Sequence, residues 1–192
     1  MKLKNNLLEI LIQKDKELLV FLNNLGSEQW DSFWLLITKQ LYWTPLFLLI
    51  FYMIFKTFGL KKGGFIVLSV IILVAFSDQF TNFLKDYFQR LRPNNDPEIN
   101  HLLRNFIQPQ SFSFTSGHAT TSIFFTVFII LLLRDYYKYT YFLLLFPLVF
   151  GYSRIYLGVH FPLDIFIGFI VGTILAILYY KMFSIVFKKL MR

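Results

Sequence analysis

Five long, uncharged, apolar stretches constrain this chain more than any other feature of its sequence. They cover residues 40–55, 63–77, 119–133, 139–153 and 165–180. A helix needs about 20 residues, at about 1.5 Å each, to cross a hydrocarbon layer of ~30 Å. Polar flanks within a turn of each stretch, with Lys and Arg side chains that reach the headgroups, supply the missing length. We therefore predict an all-α integral membrane bundle of about five transmembrane helices.

The composition excludes the main alternatives to a membrane protein. The 192 residues are 56% hydrophobic and 16% charged, with 25 Phe and 11 Tyr. Soluble domains average about 45–50% hydrophobic and about 25% charged residues. One soluble core cannot bury this much apolar surface, and disordered, collagen-like and coiled-coil chains do not have this composition. The absence of Cys excludes disulfides and Cys-based zinc sites.

The chain is basic, with 19 Lys and Arg against 11 Asp and Glu. These basic residues form short clusters between the apolar stretches instead of one patch, which favours a lipid bilayer over nucleic acid as partner. The loops after the first and third spans and the C-terminal tail are rich in Lys and Arg. The positive-inside rule places them in the cytoplasm, so the opposite ends of the spans face outwards.

The N-terminal segment, residues 1–39, differs from the predicted membrane domain, residues 40–192. Leucines such as Leu7, Leu11 and Leu18 recur at roughly helical spacing, but charges between Glu9 and Glu17 exclude a cleavable signal. We predict one or two amphipathic helices at the membrane surface, with a break near Gly26. A linker or a partner-binding helix is an equally good interpretation.

Three polar clusters lie at span ends that antiparallel helices bring to one side of the membrane. Polar residues at membrane spans are expensive and usually functional. The clusters comprise Lys85 with Arg92 and Pro93, then Thr115, Ser116, Gly117 and His118, then Ser153, Arg154, His160 and Asp164.

The residue types in these clusters suit a bound phosphate group. Lys85, Arg92 and Arg154 can neutralise a tetrahedral dianion. Ser116 and Gly117 stand where the third span begins, and a helix N-terminus binds anions through its N–H groups.

The two histidines add what a cation cluster lacks, which is a nucleophile and a proton donor. Pro162 after His160 is typical of the first position of a helix. Asp164 then lies in the first helical turn, within reach of the His160 ring, and can fix the tautomer of that ring.

The clusters resemble the three-part signature of the type 2 phosphatidic acid phosphatase superfamily, which is Lys-x6-Arg-Pro, Pro-Ser-Gly-His and Ser-Arg-x5-His-x3-Asp. The first part is matched from Lys85 to Pro93 and the third from Ser153 to Asp164. In the second part Thr115 replaces the proline of the family. The hydrophobic layout is similar to that of the small bacterial membrane branch.

The resemblance implies a mechanism without metal or cofactor. His160 would attack phosphorus and form a phosphohistidine, with its ring held by Asp164, and His118 would protonate the leaving oxygen. The phosphate oxygens would be bound by Lys85, Arg92, Ser116, Gly117 and Arg154. Supporting roles fall to Pro93, Thr115 and Ser153.

The substrate that the resemblance implies is a membrane lipid phosphate. In the inner membrane of a bacterium, an outward-facing site favours undecaprenyl diphosphate. Phosphatidylglycerophosphate, phosphatidic acid and lipid A phosphates stay open as alternatives. The long connection 86–116 carries Phe106, Phe112 and Phe114, which we expect to line the entrance for the lipid.

Two other classes are weighed against this hypothesis. A transporter would show inverted repeats or interrupted helices, which the sequence lacks. A vanadium haloperoxidase shares the signature but is soluble and much longer. Among the remaining polar residues we interpret Arg90 as a membrane anchor, Asp78 as a structural partner for Lys85 and His101 as a surface residue.

Overall fold

The computed structural model describes residues 2–190, with side chains from residue 7 onwards, and every regular element in this range is helical. This confirms the predicted all-α class. The α-helices are α1 (Lys2–Asn24), α2 (Glu28–Ile37), α3 (Thr44–Phe88), α4 (Gly117–Leu133), α5 (Leu145–Tyr156) and α6 (Pro162–Leu190). Short 3-10 turns occupy Gln40–Trp43, Pro93–Asn95, Asn100–Leu102 and Thr140–Leu144.

Helix α3 contains the first two predicted spans and is broken at Gly59. Gly59 has φ 73° and ψ 177°, a backbone conformation that residues other than glycine rarely adopt. The chain reverses at this residue. The reversal brings the Phe55 ring to the place that a side chain at Gly63 would occupy. The connection that the sequence predicted between these spans is therefore a break at a single glycine.

Helix α4 is the centre of the bundle. After its polar first two turns it is apolar on all sides except at Thr126, and most of its residues, including Phe124 and Phe128, are buried between α3, α5 and α6. A helix that is hydrophobic all round needs such a central position. Phe183 of α6 packs edge-on against Phe128 in the same core.

The outer surface of the bundle is apolar. Large side chains such as Leu68 and Ile71 of α3 and Leu178 of α6 are more than half exposed. Within the described residues, Gln40–Asn95 and Pro162–Leu190 are long and apolar enough to cross a membrane, and Gly117–Leu133 and Thr140–Tyr156 are shorter apolar helices. All five predicted stretches are helical, while their number as spans stays a prediction.

The N-terminal helices pack on the bundle. The break between α1 and α2 falls at residues 25–27, next to the predicted Gly26. Leu19 and Asn23 of α1 are fully buried, and the Asn23 amide donates to the Tyr156 carbonyl at 2.7 Å. The domain boundary after residue 39 and the position of this segment at the membrane surface remain predictions.

Candidate active site

The first cluster is placed by the end of α3. Lys85 lies in its last turn, and Gln89 ends the helix in a left-handed conformation with φ 48°. The chain then runs extended to Arg92 and turns at the buried Pro93. As a result Arg92 is directed back towards the chain between α5 and α6.

Arg92 is held in place by four hydrogen bonds. Its Nε donates to the Ser111 carbonyl at 2.6 Å, and its Nη2 donates to Ser111 Oγ at 2.9 Å. Its Nη1 lies 3.0 Å from the Val159 carbonyl and 3.1 Å from His160 Nε2. The guanidinium is therefore fixed directly at the ring of His160.

The second cluster forms the N-terminus of α4. Ser116 is the N-cap, as the sequence predicted, and its Oγ accepts from the Ala119 N–H at 3.4 Å. Gly117 follows, and a Cβ added there would lie 3.6 Å from Lys85 Nζ. The buried Thr115, which stands in the place of proline, lies 3.4 Å from Thr120 through its hydroxyl. The helix N-terminus and the lysine ammonium thus face one space.

Arg154 contributes a third cation. It is only 5% exposed and donates a hydrogen bond to the Thr38 hydroxyl, while its Nε has no hydrogen-bond partner among the described residues. Ser153 beside it donates to the Phe150 carbonyl at 2.6 Å, which is a local contact within α5. A buried guanidinium N–H without an acceptor is costly unless a ligand supplies one.

His160 stands at the start of α6, where Pro162 takes the predicted first helical position. Because Arg92 can only donate, His160 Nε2 must accept, so the proton of the neutral ring is on Nδ1. That nitrogen lies 3.5 Å from Asp164 Oδ2. Burial, and then the charges of Arg92 and Arg154, lower the pKa of His160 well below its ordinary value of 6.5. A neutral ring can attack through the Nε2 lone pair once Arg92 donates to another acceptor.

His118 lies at the polar end of an apolar groove of about 510 Å³ between α3, α4 and α5. Its ring packs on Phe150, with the ring centres 5.0 Å apart. The groove is lined at this end by Lys85, Gly117 and His118, and further along by Phe47, Phe51, Val70, Val74 and Phe125. The loop aromatics Phe106, Phe112 and Phe114 are not among its lining residues, and their place at the lipid entrance stays a prediction.

The structure also corrects the interpretation of Arg90 as a membrane anchor. Its guanidinium forms ion pairs of 2.7 Å with Asp15 and with Asp164. Asp15, Thr38 and Ser111 were likewise not singled out from the sequence. Arg90 lies two residues before the signature residue Arg92, and this position could have marked it as part of the site. Asp15 pairs with Arg90 across 75 residues, so no local sequence pattern marks it.

Fold and site together define a class of protein. It is a helical bundle with an apolar outer surface, in which three cations, a helix N-terminus and two histidines surround one space beside an apolar groove. This arrangement can bind an anionic headgroup and perform nucleophilic and acid–base chemistry on it.

Comparison with known proteins agrees with this class. The sequence profile of the PAP2 superfamily matches residues 63–188. A lipid A 4'-phosphatase of Bacteroides thetaiotaomicron is 34% identical over 179 residues, which are 91% of this chain and 79% of that protein. A lipid A 4'-phosphatase of Porphyromonas gingivalis is 29% identical over 180 residues, 92% of this chain and 75% of that protein.

A solved structure shows the same fold. The transmembrane PAP2 type phosphatidylglycerolphosphate phosphatase from Bacillus subtilis superposes with a TM-score of 0.68 at 21% identity, over 91% of this chain and 87% of the other. The chain belongs to the PAP2 superfamily, as its signature indicated. It is an integral membrane phosphatase that acts on lipid phosphates.

Proposed function

We propose that this protein removes a phosphate group from lipid A by a metal-independent reaction through a phosphohistidine on His160. The observation that carries the mechanism is the buried cation cluster at His160, where Arg154 Nε finds no acceptor within the described part of the chain. A phosphate oxygen would supply that acceptor and would compensate the charges of Arg92 and Lys85.

The first step forms a bond between His160 Nε2 and phosphorus and breaks the bond from phosphorus to the lipid oxygen. His118, at the mouth of the groove, donates a proton to that oxygen. When phosphate binds, its oxygens replace Nε2 as the acceptor for Arg92 Nη1, which frees the nucleophile. Asp164 stabilises the positive charge that develops on the ring.

The second step returns the enzyme to its starting state. His118, now unprotonated, takes a proton from a water molecule, whose oxygen attacks phosphorus while the bond to His160 breaks. The cations and the N-terminus of α4 stabilise the equatorial oxygens in both transition states. These are charges that other phosphatases neutralise with Mg²⁺.

The groove supports a lipid substrate. Its polar end lies at His118 and Lys85, and its remaining lining is largely apolar. A headgroup at the cations therefore leaves an acyl chain in the groove, and the substrate enters sideways from the bilayer. We place the site at the outer face of a bacterial inner membrane, which the Lys- and Arg-rich loops at the opposite end favour.

The choice of lipid A rests on the relatives. Two lipid A 4'-phosphatases each match about nine tenths of this chain, at 34% and 29% identity. This favours a lipid A phosphate monoester over undecaprenyl diphosphate, which the outward orientation alone had suggested.

The test is phosphate release by detergent-purified protein in EDTA. Bisphosphorylated lipid A, undecaprenyl diphosphate, phosphatidylglycerophosphate and phosphatidic acid are compared, and mass spectrometry locates the phosphate that is lost. We expect the highest kcat/KM on lipid A. A clear preference for undecaprenyl diphosphate would overturn the substrate assignment, and a dependence on added metal would overturn the mechanism.

Histidine variants supply the matched controls. We expect His160→Ala to lower kcat by at least about 10³-fold, since it removes the nucleophile. His101→Ala changes an exposed loop histidine and should behave as wild type. An active His160→Ala variant would exclude the phosphohistidine.

A further inference from the structure

Arg90 bridges the N-terminal helix to the candidate nucleophile. Its Nη1 donates to Asp164 Oδ1 and its Nη2 donates to Asp15 Oδ2, both at 2.7 Å. Asp164 is fully buried and Asp15 is 8% exposed. The guanidinium carbon also lies 3.9 Å from the centre of the Phe161 ring, in the turn that follows His160. Arg90 thus contacts this turn through both a carboxylate and an aromatic face.

Asp15 has a second contact in the same turn. Its Oδ1 accepts from the Leu163 N–H at 2.8 Å. Leu163 is the second residue of α6, and the first N–H groups of a helix have no partner within the helix. A carboxylate from α1 therefore satisfies one of these groups and also favours the positive end of the α6 dipole.

Asp164 completes the connection to His160. Its Oδ2 accepts from the Phe161 N–H at 3.0 Å and lies 3.5 Å from His160 Nδ1. Ion pairs join Asp15, Arg90 and Asp164, and the neutral His160 ring lies next to Asp164 without a hydrogen bond from Nδ1 to any described residue. We call these four side chains the ion-pair chain.

We infer that Asp15 and Arg90 are positioning residues for the nucleophile, through which α1 sets the orientation of His160. The inference rests on the proposed role of His160. It assigns the N-terminal segment a part in the reaction, although none of its residues belongs to the superfamily signature.

The charges of the ion-pair chain explain why two carboxylates are needed. One guanidinium shared by Asp15 and Asp164 leaves a net negative charge at Asp164, which can stabilise the imidazolium-like ring during attack. Without Asp15, Arg90 would pair with Asp164 alone and compensate that charge. Asp15 therefore preserves the negative charge of Asp164 beside His160, in addition to holding Arg90 in place.

A purely structural tether is the competing explanation, and the chain offers a matched control for it. Lys16, the next residue of α1, forms ion pairs of 2.7 Å with Asp96 and with Glu98 in the loop after α3. Lys16→Gln removes a two-carboxylate contact of the same helix without removing a member of the ion-pair chain.

The experiment measures kcat, KM and the melting temperature of Asp15→Asn, Arg90→Gln and Lys16→Gln on bisphosphorylated lipid A. Asp15→Asn keeps an oxygen for the Leu163 N–H, and removes the charge and the acceptor for Arg90 Nη2. We expect kcat to fall about tenfold for Asp15→Asn and about 10²-fold for Arg90→Gln, with KM close to wild type. Lys16→Gln should keep the wild-type kcat, even if its melting temperature falls as much as those of Asp15→Asn and Arg90→Gln.

Two further measurements separate positioning from folding. Quenching in alkaline detergent during turnover, under which the phosphorus–nitrogen bond survives, should trap less phosphohistidine in Asp15→Asn than in wild type, because formation of the intermediate is the step that slows. The double variant Asp15→Asn/Arg90→Gln should have the kcat of Arg90→Gln alone, since Asp15 acts through Arg90. Arg90→Lys, which cannot span both carboxylates, should retain less than wild-type kcat and replaces Arg90→Gln if that variant does not fold.

Three outcomes would overturn the inference. These are wild-type kcat in both Asp15→Asn and Arg90→Gln, an equal loss of kcat in Lys16→Gln, or additive losses in the double variant. With His160→Ala inactive, each of them leaves the proposed function intact. If His160→Ala is as active as wild type, the proposed function fails instead.

Discussion

At the residue scale, His160 shows how burial and neighbouring charges keep a histidine ring neutral. It is 1% exposed, and Arg92 donates to its Nε2. Protonation of the ring would add a positive charge beside Arg92 and Arg154 in a site shielded from water. The neutral ring, with its Nε2 lone pair accepting from Arg92, is therefore the stable form before substrate binds.

This environment predicts how His160 responds to pH. The lowered pKa of His160 means that the ring stays neutral as pH falls through 6.5 and takes up a proton only at lower pH. Nitrogen-15 NMR of histidine-labelled protein in detergent, with His160→Ala to assign the signal, measures this directly. A His160 signal that titrates at or above pH 6.5 would contradict the prediction.

At the element scale, the contact between α4 and α6 depends on small residues. A Cβ at Gly172 would collide with Ile123 and with the Thr120 carbonyl, and one at Gly168 would come within 3.0 Å of Thr120 Oγ1. Close approach of two helix backbones is the usual way for helices to associate in a bilayer, where burial of apolar surface gives little driving force. This contact also sets the N-terminus of α4 beside the start of α6, where Ser116 N–H donates to the Asp164 carbonyl at 3.3 Å.

We expect Gly172→Ala to destabilise the fold by about 1–3 kcal/mol, because backbone has to move to accept the methyl group. Gly64→Ala is the matched control, since a Cβ there has no neighbour within 4 Å. Melting temperatures in one detergent compare the two variants. Equal melting temperatures would show that α4 and α6 accommodate the methyl group without loss of stability.

At the scale of the whole molecule, the groove connects the charged site to the apolar body of the bundle. Val70 and Lys85 both line it and lie 15 positions apart on α3, which corresponds to ~22 Å along the helix. The proposed function therefore predicts a substrate bound at two ends, with its phosphate among the cations and its acyl chain along α3.

Filling the groove should discriminate between long and short lipid chains. We expect Val74→Trp to raise KM roughly tenfold for a long-chain lipid phosphate and to leave KM unchanged for its short-chain analogue. Ile72→Trp, on the same helix at a half-exposed position outside the groove lining, is the control. An equal effect of Val74→Trp on both chain lengths would exclude the groove as the chain-binding site.

Much of this architecture follows from local sequence patterns. Apolar stretches predicted every helix of the bundle, because a helix satisfies its own backbone wherever water is absent. The N-cap Ser116 and the first helical residue Pro162 were predicted from local rules that need no tertiary contacts. The family, too, follows from motif spacing, since Lys85, His118 and His160 stand at fixed intervals from their neighbours.

Contacts between distant segments were decided by the tertiary structure alone. The pairing of Asp15 with Arg90, the hydrogen bonds of Ser111 to Arg92 and the groove between α3, α4 and α5 each join residues far apart in the chain. Ion pairs and hydrogen bonds act over a few ångströms in space and impose no spacing along the chain. The sequence by itself therefore determined the family and the candidate residues for the chemistry, and packing of the helices decided which side chains hold those residues in position.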